Sequence, residues 1–243
     1  MNFTEWESYY TEILNKFGFP KEKDEKTALW LSNEFKKVCS LENRNDKIFS
    51  ILEEKISRRP VVVCGNAPSL EKEYIAFLKE KSRGNEIYIA ADGAATVLLQ
   101  NNRIPDIIVT DLDGKHPNDA IKEIEAVDKG ALLLVHAHGD NLDKLEKYLP
   151  AFSDKINQNT IIPTCQCRPP DYLLNFGGFT DGDRCVFLAD AFNAASVVLI
   201  GFDFKDPSVL PLKKKKLECA EKLIQLIREK EQNPEKIRFY SEL

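Results

Sequence analysis

The sequence predicts an α/β protein, a Rossmann-like doubly wound parallel sheet preceded by an N-terminal helical segment. Three observations predict it. From Pro60 onward, short runs of β-branched residues alternate with amphipathic stretches. The runs are continuously apolar rather than alternating, the pattern of strands buried on both faces. Small, polar and acidic residues gather just past the ends of those runs, where open parallel sheets bind ligands.

Residues 1–58 form the first segment. Trp6, Tyr9, Tyr10, Ile13, Leu14 and Phe17 recur at helical spacing, then Leu29, Trp30, Leu31 and Phe35, then Ile48, Ile51, Leu52 and Ile56. Gly18 and Pro20 separate the first two groups, and Asn43–Asp46 the last. About three helices are expected, serving as a cap, a lid or the surface of a homodimer. The second segment, 59–243, is the α/β domain. Strands are expected over 61–64, 86–91, 106–110, 131–135, 160–163 and 197–201, with an edge strand at 237–240. Helices are expected over 70–81, 94–101, 118–127, 142–148, 184–192 and 212–228.

With 243 residues, 43% of them hydrophobic and 30% charged, the chain can bury a core and is not a disordered tail. A net charge of -5 supplies no global positive field for nucleic acid or an anionic membrane. The apolar runs are too short to span a bilayer, and the start, with Glu5 and Glu7, lacks the pattern of a signal peptide. A cytoplasmic protein is expected. Six scattered cysteines read as reduced thiols, and the Cys165/Cys167 pair has no second pair to complete a metal site.

The strand tips carry the chemistry. After 61–64 comes Gly65-Asn66-Ala67-Pro68-Ser69 and then a helix, so backbone N–H groups there suit an anion, with Ser69 or Asn66 as the cap. An ordinary strand-to-helix turn remains the alternative, since this is neither a Walker loop nor a dinucleotide fingerprint. After 86–91, Asp92-Gly93 places a carboxylate beside small residues, or simply caps the next helix. After 106–110, Asp111 and Asp113 stand two apart; with an extended backbone their carboxylates share a side and repel unless a cation sits between them. Mg²⁺ suits such a pair. His136, His138, Asp140 and Asn141 follow 131–135, and lacking a third nitrogen or sulfur ligand they suggest hydrogen-bonded support of a phosphate site rather than zinc. Gly177, Gly178, Thr180, Asp181, Asp183 and Arg184 form a loop able to wrap a ligand, where Arg184 offsets phosphate charge and Asp183 either contacts the ligand or caps a helix. Thr164, Gln166 and Arg168 end a further strand, and Lys213–Lys216 reads as a solvated basic face. Together these tips point to metal-dependent phosphate chemistry.

The strings VVVCGNAPSLEKE, AADGAA, IPDIIVTDLDG, VHAHGDN, NFGGFTDGDR and VVLIGFDF, in this order, resemble the archaeal 6-hydroxymethyl-7,8-dihydropterin pyrophosphokinases, distant relatives of thiamine pyrophosphokinase. The resemblance runs from Val61 to Phe204 and implies the fold of the thiamine enzyme's catalytic domain. Asp92-Gly93-Ala94, Pro105-Asp106 and Thr110-Asp111-Leu112-Asp113-Gly114 stand where that enzyme carries its acidic elements. The resemblance therefore adds to Asp92, Asp111 and Asp113 as metal ligands; Asp140 corresponds more loosely to a further acidic loop of that enzyme. Ala94, Thr110 and Gly114 depart from the thiamine pattern and argue against thiamine as substrate.

The reaction so implied moves the terminal diphosphate of ATP, bound with Mg²⁺, to a hydroxymethyl pterin and releases AMP, in the assembly of a methanopterin- or folate-type cofactor. Asp111, Asp113, Arg184 and Asp140 are the expected catalytic residues, with Asp140 or His138 as base if one is needed. Phe176 and Phe179 are expected to stack on the pterin, and Asp181 to accept from its amino-pyrimidinone edge. Two alternatives stand: a nucleotide-sugar transferase for nonulosonic acids, suggested by the Gly-x-x-Pro-Ser-Leu loop, and a non-catalytic nucleotide sensor.

Overall fold

Burial of the apolar runs on both faces is what the three-dimensional structure displays. A computed structural model describes residues 1, 3–114 and 119–243. Strands β1 (Pro60–Cys64), β2 (Ile87–Ala91), β3 (Ile107–Thr110), β4 (Leu132–Ala137), β5 (Ile161–Cys165), β6 (Ser196–Ile200) and β7 (Ile237–Phe239) form one sheet in the order β5-β4-β3-β2-β1-β6-β7. Every pairing is parallel. Residues of β2 to β5 are buried throughout, which explains their unbroken hydrophobicity.

Helices α4 (Leu70–Glu80), α5 (Ala94–Gln100), α6 (Asp119–Asp128), α7 (Leu142–Tyr148) and the short α8 (Ser153–Ile156) connect successive strands outward from β1 to β5. The chain then returns through α9 (Asp181–Ala191) to β6, and α10 (Pro211–Lys230) leads to β7. Helix α9 packs across β1, β2 and β3, and α10 packs on α9. The expected helix over 118–127 is found as Asp119–Asp128, and Asn118 lies outside the described residues. Helix α9 starts three residues before the expected Arg184, because Thr180 and Asp183 form a capping box that adds a turn.

The N-terminal segment holds α1 (Phe3–Phe17), α2 (Lys21–Val38) and α3 (Arg44–Ile56). Trp6, Tyr10, Leu31, Phe35, Ile48, Leu52 and Ile56 are buried in the same hydrophobic cluster as the sheet, each large side chain contributing on the order of 1.5–3 kcal/mol. Trp6 meets Phe187 of α9 edge-on at 5.7 Å, and α2 packs on β4 and β5, so these helices complete the layer that α9 begins. Buried hydrogen bonds tie the layer down: Trp6 Nε1 donates to Gln166 O at 2.9 Å and Arg44 Nη2 to Ile161 O at 3.0 Å. Ser32 Oγ donates to Asp171 O at 2.6 Å. Among the described residues no helix is long and apolar enough to cross a membrane. The six cysteines are unpaired, and Cys165 donates to the Cys167 carbonyl.

Candidate active site

The tips of β2 and β3 bring three carboxylates together. One oxygen each from Asp92, Asp111 and Asp113 lies within 4.8 Å of the others. Asp92 turns the chain out of β2 with φ 42°, its N–H donating to Val109 O at 2.8 Å. Thr110 Oγ1 donates to Asp92 Oδ1 at 3.2 Å and accepts the Leu112 N–H at 2.9 Å. Asp111 Oδ1 accepts the Asp113 N–H at 3.1 Å. The backbone is not extended here, as the two-residue spacing suggested: Leu112 is left-handed at φ 63°. Asp111 and Asp113 converge instead through a turn whose N–H groups are held by the Thr110 and Asp111 side chains.

The two acids are driven apart electrically. Burial alone would raise Asp111, but the hydrogen bond from His138, the contact with Asp113 and the Arg184 charge hold it below the usual carboxylate range. Asp113 is the most exposed of the three, but partial burial and the neighbouring Asp111 push it up to about 7, Asp92 adds to this, and Lys213 acts in the opposite direction. Three carboxylates this close repel one another, and a cation among them would offset that repulsion. All-oxygen, all-anionic donors fit Mg²⁺.

The β4 tip supports this group. His138 Nε2 lies 3.0 Å from Asp111 Oδ2, while its Nδ1 accepts the Asp140 N–H at 3.3 Å. The accepting Nδ1 leaves the proton on Nε2, so His138 donates to Asp111. Asn141 braces the turn: its Oδ1 accepts the His138 N–H at 3.0 Å, and its Nδ2 donates to Asp111 O at 2.8 Å and His136 O at 2.7 Å. Asp140 is exposed, contributes its backbone N–H, and stands outside the three-carboxylate group. His136 pairs through Nδ1 with Thr164 Oγ1 at 3.0 Å, and burial lowers its pKa well below the ordinary value.

Arg184, on the first turn of α9, donates to Asp181 Oδ1 at 2.9 Å, Phe179 O at 2.7 Å and Gln166 Oε1 at 3.3 Å. Burial, with Asp111 next, pushes Asp181 well above the usual carboxylate range against the pull of Arg184. Gly178 has φ 91°, and a Cβ there would lie 2.7 Å from Arg184 Cα, so the loop needs glycine to seat the arginine. Arg184 and His136, whose Nε and Nε2 have no partner among the described residues, both line a cavity of about 20 Å³, room for a single water.

Several groups expected to meet a ligand have partners within the fold. Asp183 is fully buried, with Oδ1 accepting the Thr180 N–H at 2.8 Å and Oδ2 the Phe179 N–H at 2.6 Å, and Thr180 Oγ1 donating to it as well. Both Asp183 and Thr180 therefore cap α9. In the first loop the Gly65 and Ala67 N–H groups are spent on Ile200 O (2.9 Å) and Gly201 O (3.0 Å), because β6 lies alongside β1. With Pro68 lacking a donor, Asn66 and Ser69 keep the loop's remaining N–H groups, and Ser69 makes no side-chain cap. Gly93, not Asp92, is the residue preceding α5. Phe176 packs on Phe49 and Phe192, and Phe179 on Phe17, so both rings serve the core. Arg168 is exposed and bonds Glu7 at 3.2 Å.

Sequence reasoning missed Asn141 as a brace, Lys213 as a charge acting on Asp113, and Glu123. Glu123 of α6 is buried, and burial followed by Asp92 raises its pKa well above the carboxylate range. Its spacing from the buried Ala120 and Val127 placed it on the apolar face of that helix, a signal open to reading.

Residues 33–208 match the family described as 6-hydroxymethylpterin diphosphokinase MptE-like. The chain belongs to this family. Among its relatives, the 6-hydroxymethyl-7,8-dihydropterin pyrophosphokinase of Methanocaldococcus jannaschii is 38% identical, covering 95% of this chain and 97% of its own. The proteins of the same name from Methanothermobacter thermautotrophicus and Pyrococcus furiosus are 41% and 38% identical, over 90% and 84% of this chain and 92% and 79% of theirs. A solved MAf glycosyltransferase from Magnetospirillum magneticum aligns over 69% of this chain and 29% of its own, with 17% identity and a TM-score of 0.38, a likeness too slight to argue from. In this diphosphokinase-family chain the matched stretch contains every residue of the β2, β3 and β4 tips described above.

Proposed function

We propose that this protein transfers diphosphate from ATP to the hydroxymethyl group of 6-hydroxymethyl-7,8-dihydropterin, forming the pterin diphosphate and AMP. The carrying observation is the convergence of Asp92, Asp111 and Asp113, in a chain whose relatives are named for that reaction. These three residues would hold Mg²⁺, which when bound screens polyphosphate charge and acts as a Lewis acid on phosphoryl oxygens. The pterin hydroxyl oxygen forms a bond to the β-phosphorus, the bond from that phosphorus to the α,β-bridging oxygen breaks, and AMP carries away the electron pair. Arg184, held by Asp181 and the Phe179 carbonyl, sets a fixed positive charge beside the acids. The Asn66 and Ser69 N–H groups remain to orient phosphate at the start of α4.

His138 has its Nδ1 lone pair engaged and its Nε2 proton committed to Asp111, so it orients the carboxylate and does not serve as a base. Asp140, exposed at the same tip, remains the candidate acceptor of the hydroxyl proton, and a loose transition state needs little from it. Residues 1–58 act in this reading as a fixed wall of the α/β unit 59–243. The relatives' names count against the nucleotide-sugar alternative. Incubation with ATP, Mg²⁺ and the pterin, with nucleotides and pterins separated, tests the proposal: AMP and pterin diphosphate should appear in equal amounts. Formation of ADP would place the bond cleavage elsewhere, and an unconsumed nucleotide would favour a sensor.

A further inference from the structure

Helix α2 carries a buried acid that no strand-tip argument uses. Asp24 is 4% exposed and lies on the face of α2 that also buries Thr27, Ala28, Leu31, Ser32 and Phe35. Its Oδ1 accepts the Gly139 N–H at 2.7 Å; its Oδ2 accepts Tyr10 Oη–H and Gln166 Nε2–H, both at 2.8 Å. A carboxylate buried in this way is costly unless its donors satisfy it, and here three do, from α1, the loop after β4 and the loop after β5. Gly139 is pressed onto the same helix: a Cβ at that position would lie 2.7 Å from Lys23 Cβ and 3.2 Å from Asp24 Oδ1.

Gly139 stands between the site histidine and the residue whose N–H fixes its tautomer. On one side is His138, whose Nε2 donates to Asp111; on the other is Asp140, whose N–H fixes the lone pair on His138 Nδ1. We propose that Asp24 is a positioning residue for diphosphoryl transfer: by holding Gly139 it keeps the 138–140 turn in the shape that selects the Nε2-protonated tautomer of His138 and aims it at Asp111. The N-terminal helices thereby reach the carboxylate group through one backbone hydrogen bond. This inference rests on the function proposed above for its kinetic consequences, but its structural core does not.

The test uses the full chain and the variants Asp24→Asn, Gly139→Ala and His138→Asn, singly and combined. The ¹⁵N shifts of the imidazoles report tautomers directly, and with three histidines in the chain the His138 signals can be assigned by its replacement. His138 in the parent protein should show protonated Nε2 and bare Nδ1, and both Asp24→Asn and Gly139→Ala should give a tautomer mixture. In the diphosphate-transfer assay each should lower kcat by about 10-fold while KM values stay within about 2-fold. In the His138→Asn background neither should cost more than about 2-fold further, since coupled residues are not additive. Should Asp24→Asn not fold, Gly139→Ala carries the same cycle. An unchanged His138 tautomer in the folded variants, or full additivity with His138→Asn, would overturn the inference. A parent protein with no transfer activity but the expected tautomer response would sink the proposed reaction and leave the positioning role standing.

Discussion

His138 Nε2 donates to Asp111 Oδ2 across 3.0 Å while the Asp140 N–H occupies the opposite ring nitrogen. The histidine is thus a fixed hydrogen-bond donor that keeps one lone-pair direction of Asp111 in place. Removing such support beneath a metal-binding carboxylate commonly costs about 10- to 100-fold in affinity or activity. His138→Asn is expected to lose activity in that range with its circular dichroism spectrum unchanged. Parent-level turnover at limiting Mg²⁺ would remove the histidine from the mechanism.

Metal binding should release a proton near neutrality. Burial and Asp111 hold the Asp113 carboxyl near 7, so it is largely protonated about one unit below that and must ionise before it ligates. Apparent Mg²⁺ affinity should therefore rise by about 5-fold as pH goes from about 6 to about 7, by about 2-fold more up to about 8, and flatten above. Calorimetry in buffers of different ionisation enthalpy would count the protons, and affinity independent of pH would contradict the assignment.

The same crowding predicts opposite effects on stability and activity. Asp113→Asn removes a charge that the metal-free fold does not accommodate well, so thermal unfolding in chelator should move upward by about 1–3 °C, as at other strained functional positions. Diphosphate transfer by Asp113→Asn or Asp111→Asn should fall by about 100-fold or more. A lowered melting point for Asp113→Asn together with normal turnover would show the acid to be structural.

Thr180 and Asp183 form the capping box of α9. Thr180→Ala should reduce stability by about 1 kcal/mol in urea unfolding and leave the KM for ATP within about 2-fold. A large KM effect without loss of stability would return Thr180 to the binding surface.

What could be read from the sequence follows the physics of each element. The strands were legible because double burial demands continuous apolar runs, and Asp111 and Asp113 because two acids past such a run have few structural uses. The turn at Leu112 was not legible: its left-handed backbone is held by the Thr110 and Asp111 side chains, a contact no spacing rule foresees. Nor were the commitments of the Gly65 and Ala67 N–H groups, which depend on β6 returning beside β1 from far along the chain. Asp24 was hidden for the same reason, since its donors arrive from Tyr10, Gly139 and Gln166.

The central claim is that three aspartates from the β2 and β3 tips hold the cation that presents ATP. A crystal structure with Mn²⁺ and a non-hydrolysable ATP analogue, read by anomalous scattering, tests it most directly. A manganese peak ligated by carboxylate oxygens of Asp92, Asp111 and Asp113, with the analogue's phosphates on the same ion, is expected. A metal–nucleotide complex bound elsewhere, with these three side chains free of it, would rule the three aspartates out as the cation site.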